Sequence, residues 1–448
     1  MLSPDEAEAA VGRLVERAIK AGADAADSVY AASRSTSVEV RLGELEHVDR
    51  SEDEEIGLRL FIGARSATVA SSVLSEEALG ELVSRAMAMA AEAPDDKYAA
   101  LAPAELLAHP PFRDLDLVDL AEQSPAELRD RALASETAAR AVEGVTNSSG
   151  ASASESGSTF ALATSSGFAA AWQATGFSCS VSVIAGEGAS MQRDHAWHGT
   201  RHLADLDPPD SIGRLAGERA VARLGPVRPK SGVMPVLFDP RVAHTLLGHL
   251  AGAISGQSVA RKSSFLQDRL GERVFAPGVA IIDDPLRLRG LRSRPFDGEG
   301  VGVRPVELIA DGVLRSWMAE SASARQLGIS PTGHASRGVG SAPGVSPSNF
   351  YLAPGTRSRA ELVAKFPEAL LVTELIGQGV NSVTGDYSRG AVGFLVRNGE
   401  IGPPVQEITI ASNLLDMFAT LEPASDLEFR RGMDAPTILV PEMTVAAA

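Results

Sequence analysis

A single cysteine, Cys179, stands among 448 residues. It leaves no internal disulfide framework and no multi-cysteine zinc site, and it fits a reducing compartment. Aromatic residues are scarce at 5%, so the cores must be built from Val, Leu, Ile and Ala. Basic residues are outnumbered, 41 Lys and Arg against 58 Asp and Glu, for a formal net charge of −17. Phosphate contacts need clustered Lys and Arg, and no such patch occurs, which argues against a nucleic-acid partner. No apolar run reaches the roughly 18 residues that span a bilayer. The opening MLSPDEAEAAVGRLVERAIK is acidic and amphipathic, without the basic and apolar regions of a signal peptide. The P-loop, the G-x-S-x-G elbow and the dinucleotide-binding glycine pattern are all missing. These absences predict a cytoplasmic chain with neither membrane nor nucleic-acid partners.

What is present is a glycine- and proline-rich chain, with 42 Gly and 26 Pro, long enough for about two to three domains. Ser3-Pro4-Asp5-Glu6 signals a helix start, and Val11, Leu14, Val15 and Ile19 carry its apolar repeat. Alternating segments at 27–32, 37–42, 57–61 and 67–70 read as hairpin-connected strands, followed by a helix at 75–93. The acidic run 44–55 (ELEHVDRSEDEE) reads as a solvated strand edge or hairpin. Residues 1–100 thus form an N-terminal α+β domain. Residues 101–225 form a middle domain with a helix at 125–142, a Ser/Gly/Ala-rich antiparallel sheet and a closing helix at 210–224. Within it, 147–158 (NSSGASASESGS) reads as an exposed hairpin. The segment 225–232 (GPVRPKSG) is the clearest boundary. Beyond it, 226–448 form the third domain, in which Asp311-Gly312 and Asn398-Gly399 are hairpin turns. The fold class is α+β: antiparallel sheets with flanking helices and a large C-terminal mixed body.

Three stretches bear candidate chemistry. His244 and His249 lie in an apolar helical segment, five residues apart, an offset of about 140° on a regular helix. Helical metalloprotease sites place two histidines on one face with a glutamate as base, whereas Thr245 follows His244 here. Partly buried structural histidines are the competing reading. His195, His198 and His202 cluster around Trp197, but on a strand His195 and His198 point to opposite faces. The stretch 377–393 (GQGVNSVTGDYSRGAVG) sits before an apolar strand and reads as a functional loop. Its residues Gly385, Asp386, Tyr387, Ser388, Arg389 and Gly390 are candidates for peptide binding or a subunit interface.

RKSSFLQDRLGERVF (261–275), VTGDYSRGAVGFLVRNGEI (383–401), PVQEITIASNLLDMF (404–418) and LVPEMTVA (439–446) resemble the TldD/PmbA family. The likeness is closest to its PmbA branch, also called TldE, under the older label modulator of DNA gyrase. It implies a three-part chain ending in a TldD/PmbA-type body. It also implies a partnership: TldD-like subunits carry H-E-x-x-x-H on a helix and hold zinc or a similar divalent metal, and PmbA-like subunits pair with them. Family members are linked to maturation of a ribosomally made peptide antibiotic and to breakdown of an antitoxin. On this chain the motif's histidines fall on His244 and His249, so the spacing of five is the family's own. Its glutamate falls on Thr245. The further cysteine ligand of the TldD branch has no counterpart, because Cys179 lies in the middle domain.

The resemblance therefore predicts a non-catalytic subunit with no cofactor of its own, inactive alone, in a heterodimeric metalloprotease that processes unfolded peptides. Where the partner is missing, a homodimer is one assembly the resemblance leaves open. Two other readings stand beside it: a metallopeptidase active by itself through His244 and His249, and a non-enzymatic peptide-binding regulator of a gyrase-poisoning system.

Overall fold

The computed structural model describes residues 1–447. Capping sets the first element, α1 (Pro4–Lys20). The Ser3 hydroxyl accepts from the Glu6 backbone N–H, and the Glu6 carboxylate accepts from the Ser3 backbone N–H, which satisfies two helix-end donors reciprocally. There follow β1 (Ala25–Arg41), β2 (Glu44–Ile62), β3 (Arg65–Ser71) and α2 (Glu76–Glu92). Then come α3 (Pro125–Arg140), β4 (Val145–Thr164), β5 (Ala169–Ala185), β6 (Gln192–Thr200) and α4 (Pro209–Ala222).

These six strands form one antiparallel sheet in the order β3-β2-β1-β4-β5-β6. The strands on either side of residue 100 therefore share a sheet, with β1 paired to β2 on one edge and β4 on the other. The segments expected at 27–32 and 37–42 are one strand, because β1 keeps both partners through its polar middle. The stretch 147–158 is not a hairpin. It lies within β4, paired with β1 and β5, and its serines are satisfied inside the sheet: Ser152 bonds Ser180 at 3.0 Å and Ser154 bonds Ser178 at 2.8 Å. The acidic run does lie on a strand edge: over residues 44–55, β2 pairs with β1 alone and is solvent-exposed almost throughout.

Alternation along β1 sorts the two faces of this sheet. Tyr30, Val38 and Val40 face the helices, with α1 and α2 covering one half and α3 and α4 the other. Asp27 and Val29 face the third unit, Val29 packing in a cluster with Phe296 and Val301. Gly57 on β2 allows the close approach: a Cβ there would sit 1.8 Å from the Val339 carbonyl oxygen.

The third unit opens with β7 (Gly232–Phe238) and α5 (Pro240–Ala253). Five short strands form a small sheet: Ile281–Asp283, Val306–Ala310, Val313–Leu314, Phe350–Leu352 and Met433–Asp434. The remaining long strands are β8 (Glu368–Ile376), β9 (Asp386–Arg397), β10 (Glu400–Asn413) and β11 (Ile438–Ala447). β7 runs parallel to β8, β9 and β10 follow antiparallel, and β11 pairs with both β10 and β7. The ring of pairings is closed. Both expected turns have two residues in the left-handed region, Asp311 and Gly312 at φ 48° and 74°, Asn398 and Gly399 at 51° and 84°, as tight hairpins of this kind require. Val236, Leu370 and Val372 pack with Leu246 and Leu250 of α5 in the largest core. The α+β class with a mixed C-terminal body is thus the fold found. Among the described residues no helix is long and apolar enough to cross a membrane.

Candidate functional site

The histidine pair sits where its sequence places it, on α5. Asp239 caps that helix by accepting from the Arg241 backbone N–H at 3.0 Å, and Pro240 occupies the first turn. Val242, Leu246 and Leu250 bury the apolar face. His244 and His249 are half-buried, and their rings meet different surroundings. His249 lies edge-on to Tyr387, ring centroids 6.0 Å apart, and near Arg389. His244 lies near Arg431 and Asp434. His249 Nε2 is buried without a hydrogen-bond partner, whereas the His244 ring has the Pro240 carbonyl one turn back within reach.

Burial, and after it the guanidinium beside each ring, holds both imidazoles below the usual histidine pKa. They are therefore neutral at physiological pH. Neutral imidazole is the metal-binding form, but a divalent cation at His249 would feel the Arg389 charge, and at His244 the Arg431 charge, partly offset there by Asp434. The Thr245 hydroxyl donates to the Val242 carbonyl oxygen at 2.6 Å, one turn back on the same helix, and no threonine can act as a carboxylate base. Among the described residues no group of three or more His, Cys, Asp or Glu converges as a metal site. Cys179 is buried in the first sheet, where burial pushes its thiol pKa up. The donor set does not fit a catalytic metal.

Gly385, Asp386, Tyr387, Ser388, Arg389 and Gly390 require a correction. All but Gly385 belong to β9, an interior strand, not to a long loop. Along one edge β9 pairs with β10 from Asp386 onward. Along the other, the chain before it folds back: Ser388 N–H donates to the Gly379 carbonyl oxygen at 2.7 Å, and Asn381 N–H donates to that of Asp386 at 2.9 Å. The backbone here has no free edge for an added peptide strand. Glycine makes the fold-back possible, since a Cβ on Gly379 would lie 1.7 Å from the Ser388 carbonyl oxygen. Tyr387 is 1% exposed and packs in the main core. Asp386 and Ser388 are exposed.

The Tyr387 hydroxyl is buried without a partner. An unmet buried hydroxyl carries its desolvation penalty with no compensating bond. Tyr387→Phe is therefore expected to stabilise the protein by about 1 kcal/mol, read from the urea midpoint at unchanged slope.

Of the other histidine cluster, His195 and His198 lie on the edge strand β6, and His202 follows its end. Alternation turns Asp194, Ala196 and His198 inward and leaves His195 exposed. His198 Nδ1 accepts from the Asp207 backbone N–H at 3.0 Å, and His202 Nε2 lies 2.9 Å from the Asp116 carbonyl oxygen. Both serve the packing of this region. Asp194 opens this cluster in the sequence, but its pairing was not legible there: it binds Arg241 at 2.9 Å and Arg223 at 3.4 Å and so ties β6 to α5. Sequence reasoning overlooked the arginines around that junction. The adjacent pair Arg430-Arg431 was their one visible trace.

Comparisons with known proteins agree along the whole chain. Residues 26–90 match PmbA/TldA metallopeptidase domain 1, residues 118–224 its central domain and residues 231–447 its C-terminal domain. Metalloprotease PmbA of Escherichia coli O157:H7 is 38% identical over 425 residues, covering 94% of this chain and 92% of that one. The Metalloprotease PmbA homolog of Haemophilus influenzae (strain ATCC 51907 / DSM 11121 / KW20 / Rd) is 37% identical, over 98% of this chain and 96% of its own. TldE from Thermococcus kodakarensis superposes with a TM-score of 0.87 at 20% identity, covering 98% of this chain and all of that one. At that identity the match speaks for the fold alone.

Proposed function

The chain belongs to the PmbA/TldD metallopeptidase family, and from that premise we propose that it is the non-catalytic, TldE-type subunit of a cytoplasmic peptide-processing complex. In this reading a TldD-like partner supplies the divalent metal and the general base, and this chain helps to hold an unfolded peptide. One observation carries the proposal: the motif's histidines are present as His244 and His249, while Thr245 stands where the base would be and the positive charges of Arg431 and Arg389 act on the two rings. A general base contributes roughly 10²–10⁴-fold to such a reaction. Its loss, together with an incomplete ligand set, leaves little hydrolysis for this chain alone.

The test is a peptidase assay of this chain alone, of a partner from the same genome carrying H-E-x-x-x-H, and of the two mixed. Cleavage of an unstructured peptide is expected only when the partner is present, and it should rise on mixing. Metal analysis of the purified chain is expected to find no stoichiometric zinc. Zinc that is stoichiometric and lost in His249→Ala would overturn the reading in favour of an enzyme active by itself. Thr245→Glu restores an acid but leaves both arginines in place, so it is expected to gain no peptidase activity.

A further inference from the structure

A cavity of about 450 Å³ lies between the first sheet and the third unit, where β6 and α4 meet the start of α5 and the segment 426–435. Its charges are unevenly satisfied. Asp239 is paired with Arg359 at 2.9 Å and lies 3.5 Å from Arg241. Asp207 and Glu428 are both held by Arg430, at 2.6 and 3.1 Å. Asp434 accepts from three successive backbone N–H groups, those of residues 430–432, at 2.9 to 3.0 Å. Asp426 accepts from the Thr437 N–H at 2.8 Å and hydroxyl at 2.7 Å. Every carboxylate on the wall is engaged.

Two of the guanidiniums are not. Among the described residues, neither Arg219 nor Arg431 has a carboxylate within ion-pair distance. Arg219 donates one hydrogen bond, to the His195 carbonyl oxygen at 3.1 Å. Arg431 lies over the Trp197 ring, 4.6 Å from its centroid. Burial, and then the charge of Arg241, pushes the Arg219 pKa down to about 10. It remains a cation at neutral pH; Asp194 and Asp239 favour its charge from a distance, and neither pairs with it directly. The lining also includes the apolar side chains of Trp197, Ile212, Leu215 and Ala435. A planar guanidinium with unused donors is a bidentate receptor for a carboxylate.

We propose that this cavity binds the C-terminal carboxylate of a peptide whose last side chain is apolar, with Arg219 and Arg431 holding the carboxylate and the Trp197–Leu215 wall holding the side chain. The choice of a peptide among anions rests on the peptide-processing function proposed above. The site is complete within this chain and needs neither the partner nor a metal. Binding is therefore measured on this chain alone, where its failure leaves the subunit assignment standing. A failed cleavage assay likewise leaves the binding result standing.

Trp197 is a built-in reporter, since any occupant displaces solvent around its ring. The probe is acetyl-Ala-Ala-Leu with a free C-terminus, titrated against tryptophan fluorescence beside its C-terminal amide and inorganic phosphate. Saturable binding of the free acid is expected, weakened about tenfold or more in the amide and in each of Arg219→Gln and Arg431→Gln. Arg431→Lys, which keeps the charge, should lie between. Thermal midpoints without peptide separate loss of the site from loss of the fold. Should both glutamine variants unfold, the acid-against-amide comparison on the unsubstituted chain decides the matter by itself. Equal binding of acid and amide, absence of saturation by the acid, or saturation by phosphate alone would each overturn the proposal.

Discussion

Asp27→Ala is expected to destabilise the protein by about 3–5 kcal/mol, the range seen when one member of a buried ion pair is removed. Asp27 is 3% exposed on β1. One carboxylate oxygen accepts from Arg59 on β2, with Nε at 2.8 Å, and the other accepts from Arg337 of the third unit. The Arg337 side chain is fully buried. Alanine would leave two guanidiniums facing each other with no carboxylate between them, and Glu299, 3.8 Å from Arg59, is too far to replace both contacts. The loss falls on the junction between the first sheet and the third unit. Urea unfolding at pH 7 measures it. A midpoint equivalent to less than about 1 kcal/mol would show that water reaches the arginines and that the network is no lock.

Glu299, in the same network, should make stability fall as pH rises. It is 4% exposed, and burial pushes its pKa up from 4.5 to about 7, against the opposing pull of Arg59. Facing it are Arg59, Asp297 and Ser321, whose backbone N–H and hydroxyl both donate to Oε2. Between about pH 4.5 and 7 the folded protein holds a proton here that the unfolded chain releases. Stability contributed by this group is therefore full below that window, declines through it and is flat above it. At about 1.4 kcal/mol per pKa unit, the decline amounts to roughly 3 kcal/mol. Glu299→Gln cannot ionise. Relative to the unsubstituted protein, it is expected to gain about that much between pH 5 and pH 8 in paired urea titrations. Parallel pH profiles for the two proteins would contradict this assignment.

Much of the architecture was legible because it depends on short-range chemistry. The Ser3 cap, the apolar repeat of α1 and the two left-handed turn residues at 311–312 and 398–399 each satisfy a local rule, and each appears where its residues place it. The stretches 147–158 and 377–393 misled for a common reason. Both are rich in small and polar residues, which usually marks a loop, yet each is satisfied by a neighbour far away or folded back: β1 and β5 around the first, β10 and residues 379–381 around the second. Composition reports a residue's preference for water, not whether another strand supplies the same hydrogen bonds. The histidine pair was visible as a motif, but the arginines that change its meaning lie more than a hundred residues further along the chain. Nothing in the spacing of 244 and 249 points to 389 or 431.

Phe238 pairs with Ile438, and Ile410 with Val445. The strand that closes the ring in the third unit is thus supplied by the last described residues of the chain. During synthesis the first sheet, complete by residue 200, can form while the ribosome is still translating the third unit. That unit cannot close at the same pace. Until residues 438–447 have left the exit tunnel, β7 and β10 each present an open, apolar edge to the cell. Early termination in this region would leave a folded front half attached to an exposed sheet, a species that chaperones would retain and proteases remove.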